Sequence, residues 1–188
     1  MENLAYEYRD ERPYEVLNGV IYSMATPTTS HNRISFNIAR KFGNFLEGKK
    51  CEVYHEGTSV FFPDDEQVIP DVLVVCDKGI IEENGIHGAP DLVVEVLSPS
   101  TAKRDKGYKK NLYEKHGVKE YWIVNPIDLS VEVYLLHEGK LELDNIYRIY
   151  PEKELKYMDE KERAEIITEF TTSLYGDDLI IKVSDIFS

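Results

Sequence analysis

Three charged side chains stand where the surrounding pattern asks for apolar ones. Asp71 follows Pro70 and leads into Val72-Leu73-Val74-Val75. Glu95 sits inside residues 92–97, a run otherwise apolar on both faces. Lys109 falls within the apolar stripe of the segment that follows. A charge in a buried strand is costly unless a cation or a hydrogen-bond partner meets it. Two carboxylates on neighbouring core strands repel each other unless a cation joins them. A divalent metal supplies one. Magnesium favours hard oxygen ligands, takes one or two carboxylates, and completes its shell with water and substrate phosphate. Such an ion lowers the pKa of a water and stabilises charge on a phosphate. A lysine beside it orients that water and steadies the developing negative charge. The same three groups could instead form a buried ion-pair network, because structural networks also gather charge.

The elements that carry these residues can be read from periodicity. Residues 92–97 form a buried strand, Ser98-Pro99-Ser100-Thr101 ends it and caps a helix, and that helix runs to about His116 and stops at Gly117. Its inward stripe reads Asp105, Tyr108, Lys109, Leu112, Tyr113 and His116. Residues 119–124 are a second buried strand holding Trp122, the only tryptophan. Upstream, residues 14–17 and 20–24 flank Asn18-Gly19, a two-residue hairpin signal because both turn positions need positive φ. Glu15 shares a face there with Leu17, Val20 and Tyr22, as a site carboxylate or as a frayed strand end. Thr29 or Ser30 caps a helix to about Leu46 whose stripe is Ile34, Ile38, Phe42, Phe45 and Leu46. His31 opens that stripe, either as a structural group or as one that lines a site.

Residues 51–55 and 58–62 read as strand around a tight turn at Glu56-Gly57, and residues 63–66 as an exposed loop. Residues 68–76 read as an apolar strand broken at Pro70-Asp71, where proline removes a ladder donor and marks a strand start, an edge or a bulge; the aspartate enters the strand that continues through Val75 or closes a turn beside the proline. Residues 77–90 are expected to be a polar, glycine-containing loop, mobile enough to border a site. Residues 131–137 and 141–149 form a hairpin around Glu138-Gly139, and short strands are expected near 166–170 and 179–183.

A length of 188 residues with 42% hydrophobic residues gives one domain, residues 1–188, with a substantial core and no disordered composition. No apolar run approaches the roughly 20 residues that cross a bilayer, and the acidic N-terminus is unlike a signal peptide. Cys51 and Cys76 lack metal spacing and sit in apolar runs, so reduced core thiols of a cytoplasmic protein are expected, with a disulfide between them as the alternative. The net charge of −13 argues against a general nucleic-acid binder. Its distribution weakens that objection. Residues 31–50 carry five Lys/Arg against Glu47, and residues 103–119 carry seven against Asp105 and Glu114. These are either local basic surface or two solvated helix faces. The chain has no CxxC pair, HExxH, phosphate-binding Walker loop, GxGxxG or GxSxG elbow, and its five histidines show no ligand spacing.

Pro70-Asp71, DLVVEVLSPS from Asp91, the Asp105…Lys109…Tyr113 spacing and GVKEYWIVNP from Gly117 together closely resemble the Uma-two family. These are restriction-endonuclease-like proteins of the PD-(D/E)XK nuclease superfamily. Tyr14, Glu15, Asn18, Gly19 and His31 match the family's opening pattern, and the resemblance is clear over residues 14–126. It implies an α/β (α+β) fold, with a mixed central sheet flanked by helices and an N-terminal β-hairpin. It implies Asp71 and Glu95 as ligands of Mg2+ or Mn2+, with the backbone carbonyl of Val96 as a third. Glu15 would add a further carboxylate, His31 would line the site, and Tyr113 would orient the lysine. In the superfamily the lysine lies two residues after the acid; that position is Leu97 here, so the role passes to Lys109. Asn125 stands past the strand end where relatives commonly show aspartate, and little catalytic consequence is expected. The implied activity is metal-dependent hydrolysis of phosphodiester bonds in DNA. The alternatives are a phosphodiesterase acting on RNA or small nucleotides, and a catalytically silent nuclease fold kept for binding or assembly. A homodimer is expected, paired through the tyrosine-rich strands of residues 134–150.

Overall fold

The computed structural model describes residues 12–188; the acidic N-terminus weighed above lies partly outside them. The chain begins with a hairpin, β1 (Tyr14–Leu17) and β2 (Val20–Ser23), whose turn residues Asn18 and Gly19 both hold positive φ. The helix α1 (Thr29–Leu46) follows, capped by the Thr28 hydroxyl, which accepts from the His31 N–H. Four strands come next: β3 (Glu52–His55), β4 (Val60–Phe61), β5 (Gln67–Val68) and β6 (Val72–Val75). A short hairpin, β7 (Ile81–Glu82) and β8 (Gly85–His87), leads to β9 (Leu92–Val96). The crossover to β10 (Glu120–Asn125) consists of α2 (Ala102–Arg104), a π turn (Asp105–Lys109) and α3 (Lys110–His116). The long hairpin β11 (Ser130–His137) and β12 (Lys140–Arg148) is followed by α4 (Glu152–Leu155) and α5 (Glu160–Ala164). The chain closes with β13 (Glu169–Thr172), β14 (Gly176–Lys182) and α6 (Val183–Ile186).

The central sheet has the order β12-β11-β10-β9-β6-β3. Only β9 and β10 run parallel, joined by the helical crossover; the other neighbours are antiparallel. A mixed sheet flanked by helices is the expected architecture. Its inner strands are buried on both faces, so alternate residues feed two cores. Val72, Val74, Leu92, Val94, Val96, Trp122 and Val124 face α1, α6 and the β13–β14 hairpin. Leu73, Val75, Val93, Tyr121 and Ile123 face α3 and a second sheet of short strands, ordered β2-β1-β5-β4-β8-β7. Period-two alternation places Glu95 on this second face, as it places Glu15 beside Leu17, while Asp71, just before β6, meets His31 of α1 at the strand's end.

Several expectations are corrected. The break expected at Pro70-Asp71 is a strand start that also changes sheet: β5 belongs to the second sheet and β6, beginning at Val72, to the central one. Residues 77–90 are largely ordered by β7 and β8, and Gly85 is required there. Its φ is +145°, and a Cβ would stand 2.4 Å from the Ser59 carbonyl oxygen. Glu66 is buried rather than part of an exposed loop, because its Oε1 accepts from the Asn18 N–H and the Tyr108 hydroxyl. Cys51 and Cys76 are joined, not reduced. The β3–β6 register pairs Glu52 with Val75, so the two cysteines fall opposite one another, with Cα atoms 4.0 Å apart. Asn125 is the last residue of β10 and closes the following turn through Asp128 and Ile127. Among the described residues, no helix is long and apolar enough to cross a membrane.

Candidate active site

The residues flagged by the sequence converge between the start of β6, the end of β9 and the π turn. Asp71 is fixed first. The Val96 N–H donates to its Oδ2 at 2.7 Å, which ties the start of β6 to the end of β9. Glu95, one residue earlier on β9, points to the opposite side from the Val94 and Val96 side chains. Lys109 Nζ reaches Glu95 Oε1 at 2.5 Å and Glu15 Oε1 at 2.8 Å, with Asp105 Oδ1 at 3.8 Å. The Tyr113 hydroxyl donates to the same Glu95 Oε1 at 2.6 Å. Glu15 Oε1 also accepts from the Ile69 N–H at 3.1 Å, so the hairpin carboxylate is anchored two residues from Asp71. Lys109 therefore turns toward Glu95 across the crossover, while Leu97, at the superfamily's lysine position, packs in the second core.

The helix geometry explains part of this. Residues 105–109 form a π turn, a wider turn often found at functional sites. It holds Asp105 and Lys109 together on the buried side. It also breaks the stripe read from the sequence: Tyr108 is exposed, with its hydroxyl donating to Glu66. Asp105 is the member that the sequence reading passed over as a site residue. Its signal was present, four residues before Lys109 on one stripe.

His31 completes the arrangement from α1. Its Nε2 lies 3.2 Å from Asp71 Oδ2 and 3.1 Å from the Val96 carbonyl oxygen. Both atoms are acceptors, so Nε2 carries the proton. Nδ1 faces Glu56 Oε1 at 3.9 Å, and Glu56 Oε1 accepts from the Ser35 hydroxyl, which also meets His55 Nε2 at 3.1 Å. Burial acts to lower the His31 pKa, but the bond and charge of Asp71, with Glu56 and the Val96 carbonyl, outweigh it and raise it.

Burial and like charge set the electrostatics of the site. Burial pushes the Glu95 carboxyl well above its ordinary value, and Asp105, Asp71 and Glu15 add to this against the lowering by Lys109. Burial raises Asp105 as well. Burial works against charge on Lys109, yet Glu95, Glu15 and Asp105 together raise its pKa and hold it protonated. Four carboxyl groups thus gather around one ammonium and one imidazole in a buried place. Among the described residues, no three His, Cys, Asp or Glu side chains are grouped to hold a metal by themselves. Two carboxylates and a strand-end carbonyl are hard-oxygen donors, the kind magnesium or manganese takes alongside water and phosphate. The donor set fits a divalent cation.

The basic segments differ from one another. In residues 103–119, Lys106 pairs with Glu132, Lys115 with Asp64 and Lys119 with Asp91, while Lys110 donates to the Leu141 carbonyl and Lys109 is buried. That stretch is largely neutralised within the fold. In α1, by contrast, Arg33 and Arg40 remain exposed.

A mixed sheet presenting two acids and a crossover lysine at one end defines a protein of the restriction-endonuclease-like class. The Uma2 family, described as "Putative restriction endonuclease", matches residues 2–157, and the chain belongs to it. Two uncharacterized proteins of Synechocystis, slr1290 and sll1609, are similar. The first is 32% identical over 71% of each chain, the second 27% identical over 71% of this chain and 77% of its own. A crystal structure from Anabaena variabilis, described as "a putative nuclease belonging to DUF820", superposes with a TM-score of 0.72. It is 20% identical and covers 94% of this chain and 90% of that one, a likeness of fold.

Proposed function

We propose that this nuclease-like protein is a metal-dependent endonuclease that hydrolyses phosphodiester bonds of DNA. The observation that carries the reading is Lys109 Nζ at 2.5 Å from Glu95, on a site where carboxylates outnumber cations. Asp71, Glu95 and the Val96 carbonyl are the groups that would hold Mg2+ or Mn2+. When bound, such an ion lowers the pKa of a water and offsets charge on the phosphate. The protein's own groups do the positioning. Lys109, kept charged by Glu15, Glu95 and Asp105, presents an ammonium at the carboxylate edge where negative charge develops. Tyr113 fixes the orientation of Glu95, and the Val96 N–H fixes that of Asp71. His31 holds a proton between Asp71 and the Val96 carbonyl. Calorimetric titration with magnesium or manganese tests the reading. One ion should bind the wild type and be lost in Asp71→Ala.

A second reading is a nuclease fold kept for binding or assembly. The observation favouring it is the internal neutralisation of the lysines of residues 106–119. A wild type that binds no divalent ion would support it. The homodimer is likewise proposed, through the edge strand β12, which exposes Leu143 and Ile146. Sedimentation showing a monomer at micromolar concentration would refute that pairing.

A further inference from the structure

The outward face of α1 carries a stripe that neither the core nor the carboxylate site uses. Thr29, Asn32, Arg33 and Phe36 line, with His55 and Glu56, an open cleft of about 390 Å³. Phe36 is 52% exposed. Packing does not demand an aromatic there, since Ile34, Ile38 and Phe42 already supply the helix's buried stripe. Its ring stands nearly perpendicular to His55, with centroids 6.3 Å apart, and the Arg40 guanidinium lies 5.9 Å from its centroid. The helix has no acidic residue, in a protein of net charge −13. The cleft also adjoins the site. Glu56, on its wall, is 3.9 Å from His31 Nδ1, and the other nitrogen of that ring is 3.2 Å from Asp71.

We propose that this cleft is a base-stacking subsite for an unpaired DNA strand, with a nucleobase on Phe36 and a neighbouring phosphate on Arg33. The protein then acts on single-stranded or forked DNA in preference to blunt duplex. The inference rests on the nuclease reading for the class of its ligand; the chemistry of the cleft supplies the rest. Every base presents a π face, so an exposed ring flanked by arginines binds strands with little regard to sequence. Bases inside a duplex are already stacked on their neighbours and cannot occupy the ring. Asn32 and Thr29 add hydrogen-bonding groups along the same wall.

Fluorescence anisotropy with a labelled oligonucleotide tests this, in chelator so that no strand is cut. The wild type should bind a single strand more tightly than a blunt duplex of the same sequence. Phe36→Ala should weaken single-strand binding about tenfold, within the roughly 5- to 150-fold range of one stacked base, and leave duplex binding unchanged. Phe36→Trp should retain affinity, and its emission should be quenched by the strand, while buried Trp122 adds a constant background that the wild type measures. Arg33→Ala should weaken binding and flatten its salt dependence. Unchanged affinity in Phe36→Ala, absence of quenching in Phe36→Trp, tighter binding of blunt duplex, or tighter binding of RNA would each overturn the proposal. The measurement is independent of cleavage. Phe36-dependent binding without any nuclease activity sinks the nuclease reading alone; cleavage with no Phe36 effect on strand binding sinks the subsite alone.

Discussion

Replacing Lys109 by methionine keeps an unbranched side chain, one atom shorter, and removes its charge. The lysine is 3% exposed and lies 2.5, 2.8 and 3.8 Å from three carboxylates. Removing one partner of a buried pair costs about 3–5 kcal/mol, because the other charge is left uncompensated. The cluster has one means of relief, the uptake of a proton. Protonating a carboxyl of ordinary pKa 4.5 at pH 7 costs about 3.4 kcal/mol, at 1.36 kcal/mol per unit. Glu95, already raised by burial and by its negative neighbours, takes the proton for less. The expected loss in Lys109→Met is therefore about 3 kcal/mol at pH 7. The native variant then binds one proton more than its unfolded chain, so its stability recovers by up to about 1.4 kcal/mol per unit as pH falls toward 5. Urea unfolding of wild type and variant at pH 5, 6 and 7 measures both quantities. A loss below 1 kcal/mol at pH 7, or a loss independent of pH, would refute the view that Lys109 neutralises this cluster.

Tyr113→Phe removes the hydroxyl that donates to Glu95 Oε1 and should lower stability by about 1.5–3 kcal/mol, the range for bonds to charged groups. Full stability in that variant would show that the bond contributes nothing. Glu95, Asp105 and Glu120 are each held above the ordinary carboxyl value, in each case first by burial. The native state keeps these protons to higher pH than the unfolded chain does. The stability they contribute is therefore fully present below the unfolded values of about 4, and is lost as pH rises through the native ones. Unfolding midpoints compared at pH 5 and pH 8 should favour pH 5, and a higher midpoint at pH 8 would contradict the sign. The Cys51–Cys76 bond closes a loop of 25-residue separation and should contribute about 3.5 kcal/mol. An unfolding midpoint unmoved by reductant would argue against the pairing.

Much of the site was legible because its members broke a pattern. A lone carboxylate in Leu92–Val96 and a lysine in a helical stripe are visible without any structure. The Asn18-Gly19 hairpin and the β11–β12 hairpin were legible from local turn chemistry, since Asn18, Gly19, Glu138 and Gly139 all hold positive φ. What the sequence hid was non-local. The switch of sheets at Pro70-Asp71 depends on what each flanking strand pairs with, and an apolar run looks alike in either sheet. The π turn moves Tyr108 outward although helical spacing puts it inward. Cys51 and Cys76 meet only because β3 and β6 are neighbours in register. Glu66 is buried through contacts from the hairpin turn and from Tyr108, which no local signal reveals.

Incubation of supercoiled plasmid and single-stranded DNA with the purified protein and magnesium or manganese tests the central claim most directly. The site predicts nicks or breaks that chelator abolishes, that Asp71→Ala and Glu95→Ala both lack, and that Lys109→Met produces slowly while still binding the ion. Cleavage that persists in Asp71→Ala or Glu95→Ala would contradict it, because the reaction would then be proceeding without the carboxylates that define the site.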